Sequence, residues 1–367
     1  MNKKRILFYL AQEYYWPSLK PIYDEFHKDN ERYDLYLMFG KNQTRLFGIF
    51  LISNKKNIES KYRSEGYQIT DDPSSFDMVF CGAQINKPER FGKTILCNVD
   101  HGPGIKTLRY RHLLKQKNTT YHCFLEGQYR VEKFKKYELD LIHHIHDTGL
   151  PKLDIFFNGG YDRRELIQRY RLNPKLKTIL YAPSYKPTSI FMMIDQIEKL
   201  TERYNLIVKL HPFSWSGKYA PHSQHRLFEN LVKKNNNILL VHADDHNILP
   251  YMFVSDTMIS DGSSVINEYL ALGRCGIIVD LPEERHRDGV PLLEDKNSEW
   301  LADSYIHINP EDIDLFDAVE KALNPDQNRM LNIEKDRKYI FSHLDGHSSM
   351  RVKQICEHIL TETENHE

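Results

Sequence analysis

His101 is the residue of this sequence best suited to acid–base chemistry. It lies in the loop Asp100-His101-Gly102-Pro103-Gly104, which follows the apolar run 94–99. A histidine in a Gly/Pro loop at the end of a buried strand titrates near neutrality and can take a proton from an attacking hydroxyl. The alternative is that its side chain only hydrogen-bonds the turn. This segment by itself leaves both roles open.

A second group of polar residues is suited to binding phosphate. Lys209 and His211 stand two residues apart, so in a strand they would share a face and could both reach phosphate oxygens. The turn 261–264, Asp-Gly-Ser-Ser, offers hydroxyls and a glycine at the predicted start of a helix, where unpaired N–H groups attract anions. Glu268, early in that helix, could accept hydrogen bonds from ribose hydroxyls. Each feature also has an ordinary role, because Asp and Ser cap helices and Glu complements the helix dipole.

The elements that position these residues are strands that alternate with helices. In the first half, short apolar runs predict strands at 5–10, 34–39, 77–81 and 94–99 and a helix at 16–27. In the second half, strands are predicted at 178–182, 206–210, 238–241, 257–260 and 276–279, and helices at 190–204, 247–254 and 265–272. If the strands are parallel, the loops that carry Ser184, His211 and the turn 261–264 leave the same edge of a sheet. We therefore expect these residues to converge.

The length of 367 residues predicts two domains. The polar and basic stretch 154–177 contains glycine and proline breakers and is the expected connection between them. We place the first domain at 1–160 and the second at 161–345. The remaining helix, 346–367, could pack back on the first domain.

The composition limits the class of protein. Hydrophobic residues make up 40 % and charged residues 28 % of the chain, as in globular proteins rather than disordered or membrane-spanning ones. Lys and Arg total 50 against 51 Asp and Glu, so no nucleic-acid partner is expected. No apolar run is long enough to span a bilayer, and five unpatterned cysteines are typical of a reducing compartment. We expect a cytoplasmic protein whose membrane contact is peripheral.

Three further segments suggest local properties. The basic segment, residues 105–136, contains nine basic and two acidic residues, so its surface is expected to attract anions. The apolar run 46–52 has basic flanks and could be a core helix or an amphipathic patch resting on lipid. His143, His144 and His146 lack a fourth ligand at a recognisable spacing, so no metal site is predicted.

Five segments together resemble the CDP-glycerol glycerophosphotransferase family, the teichoic acid primases and polymerases. In the order and approximate spacing of that family, they are DHGPGIK (100–106), TGLPKLD (148–154), LYAPSYK (180–186), KLHP (209–212) and SDGSSVINEYLALG (260–273). Each motif is weak alone, whereas the ordered set is specific. The resemblance covers roughly residues 97–280, about half of the chain.

The resemblance implies a fold and a cellular setting. The fold is α/β of the GT-B type, with two Rossmann-like domains whose parallel sheets face one another across a cleft. The C-terminal domain is then expected to bind the donor nucleotide and the N-terminal domain the acceptor. The family needs no cofactor and no obligatory metal, and it works at the inner face of the bacterial cell membrane as a peripheral protein.

The resemblance also implies roles for individual residues. The family's loop histidine falls on His101 and its KLHP histidine on His211, and we assign them as general base and as stabiliser of the donor diphosphate. The expected donor-binding residues are Ser184, Lys209, Asp261, Gly262, Ser263, Ser264 and Glu268. The expected acceptor-binding residues are Gly102, Lys106, Arg109 and Arg111. Two features depart from the family's usual pattern: Gly262 replaces a bulky aromatic residue, and HGPGIK replaces HGTPLK.

The predicted reaction is attack of an acceptor hydroxyl on the β-phosphorus of a CDP-alditol, with release of CMP. The transferred unit is expected to be glycerol phosphate, and the acceptor a lipid-linked anionic glycan or a growing poly(alditol phosphate) guided by the basic segment. One rival is a GT-B glycosyltransferase that uses a nucleotide sugar in capsule or lipopolysaccharide synthesis. Another is a non-catalytic nucleotide-binding scaffold on the membrane.

Overall fold

The computed structural model describes residues 3–46, 50–215, 224–294, 298–311 and 314–366. Its strands are β1 (Lys4–Leu10), β2 (Tyr33–Phe39), β3 (Gln43–Leu46), β4 (Phe50–Ser53), β5 (Met78–Cys81), β6 (Ile95–Val99), β7 (His122–Leu125), β8 (His144–Asp147), β9 (Thr178–Tyr181), β10 (Asn205–Val208), β11 (Ile238–Leu240), β12 (Thr257–Ser260), β13 (Ile277–Val279) and β14 (Ile306–Ile308). Its helices are α1 (Trp16–His27), α2 (Lys55–Ser64), α3 (Leu108–Lys115), α4 (Gln128–Lys136), α5 (Asp154–Phe157), α6 (Arg163–Arg169), α7 (Ile190–Lys199), α8 (Pro212–Trp215), α9 (Gln224–Val232), α10 (Leu249–Val254), α11 (Val265–Leu270), α12 (Leu315–Leu323), α13 (Gln327–Ile340) and α14 (Ser348–His366).

The chain forms two parallel six-stranded sheets, one in each half. The strand order is β2-β1-β5-β6-β7-β8 in the N-terminal sheet and β11-β10-β9-β12-β13-β14 in the C-terminal sheet. All neighbouring strands run parallel. Parallel strands with helices on both faces are buried on both sides, which explains why they read as short apolar runs in the sequence. The predicted α/β architecture with parallel sheets is therefore what the structure contains.

The strand order determines where each sheet can hold a ligand. The direction of winding reverses between β1 and β5 in the first sheet and between β9 and β12 in the second. Crevices open at such switch points, beyond the carboxyl ends of the strands. The loops after β1, β5 and β6 and those after β9, β10 and β12 consequently border the cleft between the halves.

The apolar run 46–52 does not form the core helix that was one of its two predicted forms. Leu46 ends β3 and pairs with Phe50 at the start of β4, in an antiparallel two-stranded sheet. Residues 47–49 of this run lie outside the described residues. The helix prediction is therefore wrong for the described part of the run, because its periodicity over seven residues suits a strand pair equally well.

The C-terminal helix α14 packs against the N-terminal half of the chain. Val352, Cys356 and Leu360 are buried in the same hydrophobic cluster as Ile22 and Phe26 of α1. The chain thus returns to its first half after completing the C-terminal sheet. None of the helices in the described ranges combines the length and the apolar character that a membrane crossing requires.

Candidate active site

A cavity of about 380 Å³ lies between the carboxyl ends of the two sheets. Its walls come from both halves of the chain, since residues after β1, β5 and β6 face residues after β9, β10 and β12. The predicted site residues that line it are His101, Gly102, Lys106, Arg109, Ser184, Lys209, His211, Ser263, Ser264 and Glu268. The structure therefore brings both predicted catalytic histidines to one cavity.

His101 is oriented through its Nδ1 atom. Nδ1 lies 2.9 Å from the carbonyl oxygen of Gly82 and 3.0 Å from Oδ1 of Asp100. Both oxygens only accept, so Nδ1 carries the proton and Nε2 of the neutral ring holds a lone pair. The ring stacks on Tyr15 at a centroid distance of 4.5 Å. Among the described residues no hydrogen bond engages Nε2, which suits it to take a proton from a bound hydroxyl.

Asp100 supports this arrangement as a carboxylate. Burial alone would raise its pKa, but the Arg109 guanidinium and the hydrogen bond with His101 hold the pKa well below its usual range. Arg109 pairs with Asp100 and lies 3.3 Å from the side-chain oxygen of Asn98. Arg109 lines the cavity, as predicted for an acceptor-binding residue, yet its guanidinium is occupied in fixing the carboxylate that orients His101.

His211 has the opposite arrangement of protons. Its Nδ1 atom accepts a hydrogen bond of 3.1 Å from the backbone N–H of Phe213, so the proton of the neutral ring is on Nε2. Burial, and then the positive charge of Lys106, lowers the pKa of His211 well below its usual value. The ring packs beside Tyr185 at a centroid distance of 4.7 Å. His211 is thus a neutral hydrogen-bond donor at the cavity wall.

Two lysines supply unpaired positive charge to the cavity. Lys106 and Lys209 form no ion pair with any carboxylate in the described ranges, and burial lowers the pKa of both, that of Lys209 to about 8. A third lysine, Lys152, is neutralised by Glu268 at 2.7 Å. Because Lys106 and Lys209 have no ion-pair partner among the described residues, the cavity is suited to an anionic ligand.

Asp261 was predicted as a phosphate contact, but in the structure its side chain does not line the cavity. Its side chain is fully buried and accepts hydrogen bonds from the backbone N–H groups of Ser184 and Ser189, at 2.7 and 2.9 Å. The hydroxyl of Ser189 donates a third bond of 2.9 Å. Both carboxylate oxygens are therefore used to fix the loop 183–189, which forms one wall. Asp261 is a positioning residue for that loop.

Three other predicted binding residues make contacts within the fold: Gly102, Gly262 and Arg111. A Cβ atom on Gly102 would lie 2.8 Å from Oγ of Ser264, so glycine permits the close approach of the two halves at this point. A Cβ atom on Gly262 would meet Leu293 at 3.6 Å, and Gly262 does not line the cavity. Arg111, predicted to bind the acceptor, also lies outside the cavity and pairs with Asp288.

The basic segment is largely neutralised within the fold. Arg130 is fully buried and pairs with Glu126 at 2.8 Å. Lys133 and Lys136 reach Glu294 of the C-terminal half at 3.3 and 2.6 Å. The predicted anion-attracting surface is thus weaker than the sequence suggested, because a buried pair within the segment and Glu294 of the other half balance three of its positive charges.

Several cavity residues were missed by the sequence analysis. Tyr14 and Tyr15 follow β1, and His246 follows β11. The adjacent Glu13 lies 3.4 Å from His246 and so connects the two halves. Lys152 is part of the TGLPKLD motif, which was the one signal available for it. The tyrosines belong to no motif, and only their place after the first strand could have indicated them.

The histidines of β8 and its flank pack within the N-terminal half. The ring of His122 in β7 stacks on that of His144 at a centroid distance of 4.6 Å. Its Nδ1 atom lies 3.1 Å from Nε2 of His146. Burial lowers the pKa of His122 and of His143 to about 4. Within the described ranges, no three His, Cys, Asp or Glu side chains are grouped so that they could hold a metal ion.

Comparison with solved structures identifies the fold. The wall teichoic acid polymerase TagF superposes with a TM-score of 0.69 at 18 % identity and covers 99 % of this chain and 90 % of that chain. A UDP-GlcNAc 2-epimerase from Neisseria meningitidis superposes with a TM-score of 0.56 at 12 % identity, covering 97 % of this chain and 100 % of the epimerase. These likenesses confirm the predicted GT-B type of fold.

Sequence comparison gives the family. A teichoic acid poly(ribitol-phosphate) polymerase of Bacillus spizizenii is 23 % identical over 219 residues, which are 56 % of this chain and 30 % of that protein. A teichoic acid poly(glycerol phosphate) polymerase of the same organism is 25 % identical over 52 % of this chain and 48 % of that protein. The chain thus spans less than half the length of these relatives. The model of the family CDP-Glycerol:Poly(glycerophosphate) glycerophosphotransferase matches residues 1–358, and the chain belongs to that family.

Proposed function

We propose that this chain transfers an alditol phosphate, with glycerol phosphate as the expected unit, from a CDP-alditol to an acceptor hydroxyl and releases CMP. Family membership supports the reaction class. The observation that carries the proposal is that two histidines with opposite proton arrangements face one cavity that also holds two unpaired lysines. A base and a donor on opposite sides of a cationic space are what in-line phosphoryl transfer requires.

His101 is the proposed general base. Its Nε2 atom takes the proton of the acceptor hydroxyl while the hydroxyl oxygen forms a bond to the β-phosphorus of the donor. The bond between that phosphorus and the bridging oxygen breaks, and the oxygen leaves with CMP. The Asp100 carboxylate, 3.0 Å from Nδ1, stabilises the imidazolium that results.

His211, Lys106 and Lys209 are the proposed stabilisers of the donor diphosphate. Nε2–H of His211 can donate to a phosphate oxygen, and the two ammonium groups supply the compensating charge. The hydroxyls of Ser263 and Ser264 line the same wall and are proposed as further phosphate contacts. Such groups act without reorganisation in a partly closed site, where they contribute most to the rate.

Glu268 and Ser184 complete the proposed donor site. Oε2 of Glu268 is bound to Lys152, which leaves Oε1 to accept hydrogen bonds from ribose hydroxyls. The backbone of Ser184 is fixed by Asp261, so its place in the wall is defined before a ligand binds. We propose that residues 161–345 bind the donor and residues 1–160 the acceptor.

The proposed acceptor is a hydroxyl of a lipid-linked anionic glycan or of a growing teichoic-acid-like or capsule-like polymer. The named relatives make poly(ribitol phosphate) and poly(glycerol phosphate), which supports an acceptor of this class. A lipid-linked acceptor would bring the protein to the inner face of the cell membrane as a peripheral protein. Co-sedimentation with vesicles that contain the acceptor lipid tests this part of the proposal.

The function is tested by incubating the protein with CDP-glycerol, CDP-ribitol and a panel of nucleotide sugars, each with a hydroxyl-bearing acceptor. Release of CMP with transfer of the alditol phosphate is expected. Release of a nucleoside diphosphate would identify the rival glycosyltransferase activity. Nucleotide binding without turnover on any acceptor would favour the non-catalytic scaffold and contradict the proposal.

A further inference from the structure

Tyr14 lies between the two histidines that the reaction requires. Its ring centroid is 5.9 Å from that of His101 and 5.6 Å from that of His211, with edge-on geometry in both contacts. The ring also lines the cavity. Among the described residues, Tyr14 is the one aromatic side chain in ring contact with both imidazoles. Tyr14 thus lies between the proposed general base and the proposed donor to the diphosphate.

The segment around Tyr14 is anchored on both sides of the cleft. Its neighbour Glu13 accepts from Lys61 of the N-terminal half at 2.9 Å and lies 3.4 Å from His246 of the C-terminal half. The backbone N–H of Glu13 donates to the side chain of Asn42 at 3.0 Å. On the other side, Tyr15 stacks on His101. These contacts hold Tyr14 in place independently of its own hydroxyl.

The phenol is kept protonated, so it is a donor. Burial, and then the neighbouring Tyr15 hydroxyl, raises the pKa of Tyr14 well above its usual value. The Tyr15 hydroxyl is itself neutral, since burial raises its pKa to about 12. An anionic oxygen entering the cavity would be a stronger acceptor, because bonds to charged partners are about twice as strong as neutral ones.

We propose that the Tyr14 hydroxyl donates a hydrogen bond to the phosphoryl group that is transferred. The inference rests on the proposed function, which identifies that group as the β-phosphoryl of a CDP-alditol. In an in-line displacement, the attacking and leaving oxygens lie on opposite sides of the phosphorus, and the other three oxygens lie between them. If His101 serves the attacking oxygen and His211 the leaving side, those three oxygens lie between the two imidazoles, in the cavity that Tyr14 also lines.

The test compares the binding of CDP and CMP to the wild type and to Tyr14→Phe, measured by calorimetry. CDP carries the β-phosphoryl group and CMP does not. Loss of one hydrogen bond to a charged group should weaken CDP binding about tenfold and leave CMP binding unchanged. The phenylalanine ring keeps the contacts with both imidazoles, so the melting temperature should not change.

Tyr9→Phe is the matched control, because Tyr9 lies on β1 and packs against Arg90 and Phe91 outside the cavity. It should bind both nucleotides like the wild type. With CDP-glycerol and acceptor, kcat of Tyr14→Phe should fall roughly 30-fold or more, since a donor to the developing charge is lost.

Each other outcome is also decisive. Unchanged CDP affinity in Tyr14→Phe, or an equal loss for CDP and CMP, would overturn the role of the hydroxyl. If the wild type turns over no CDP-alditol, the proposed function fails, while the comparison of CDP with CMP still decides the role of Tyr14. If the wild type binds neither nucleotide, both proposals fail.

Discussion

The two histidine loops of this protein are alike in their place after a buried strand and opposite in hydrogen bonding. His101 follows β6 of one sheet and His211 follows β10 of the other, and each ends a buried strand. Nδ1 of His101 faces two acceptors, whereas Nδ1 of His211 receives a backbone N–H. The same residue type is therefore prepared as a base in one loop and as a donor in the other. The local backbone, and not the residue alone, determines the role.

The largest expected effect comes from removing either ring. His101→Ala should reduce transfer by roughly 10³-fold because the base is lost, and His211→Ala by roughly 10²-fold because a donor to the diphosphate is lost. CMP release measures both. His242→Ala is the control, since that histidine is 75 % exposed. Retained turnover in both variants, with unchanged melting temperatures, would contradict the roles assigned to the two histidines.

Asp100→Asn tests why the two rings differ. An amide can donate to Nδ1 and favour the opposite tautomer of His101, as in the established triad case. We expect kcat to fall about 10²-fold or more while the affinity for CDP changes little. Asp34→Asn, on the exposed ion pair with Lys3, serves as control. A wild-type kcat in Asp100→Asn would show that the carboxylate does not set the tautomer.

Lys209 should make the affinity for CDP depend on pH. Burial lowers its pKa to about 8, so the ammonium is present below that pH and is lost above it. CDP affinity should therefore fall as the pH rises through about 8, and Lys209→Gln should bind CDP about tenfold more weakly at lower pH, without that fall. Titration by calorimetry at several pH values measures this. An unchanged pH profile in Lys209→Gln would assign the titration to another group.

Arg111→Ala should have the smallest effect. Arg111 lies outside the cavity and pairs with Asp288, whose side chain is 52 % exposed. Exposed ion pairs contribute little, so the transfer rate and KM for the acceptor should stay within about twofold of the wild type. A large rise in KM for an anionic acceptor would restore the predicted acceptor role of this residue.

The sequence predicted the architecture and much of the cavity wall. Buried parallel strands read as short apolar runs, and the carboxyl ends of one sheet meet at one edge, so Ser184 and His211 could be predicted to lie together, with His101 of the other half facing them. The family resemblance added which histidines to choose. The division into domains at residues 160 and 345 stays a prediction.

Other features depend on contacts that a linear pattern does not contain. Nothing in the turn 261–264 shows whether Asp261 faces a ligand or the loop 183–189, and the structure shows the loop. Lys133 and Lys136 of the basic segment pair with Glu294, which lies far along the chain. Tyr14 lies between the two histidines because loops from different halves of the chain bring both imidazoles into contact with its ring. Each of these features results from tertiary packing.

The central claim is that the neutral rings of His101 and His211 carry their protons on different nitrogens. Long-range ¹H–¹⁵N correlation spectra of the histidine side chains, assigned with His101→Gln and His211→Gln, measure this directly. We expect the Nδ1–H tautomer for His101 and the Nε2–H tautomer for His211. The same tautomer in both rings would contradict it.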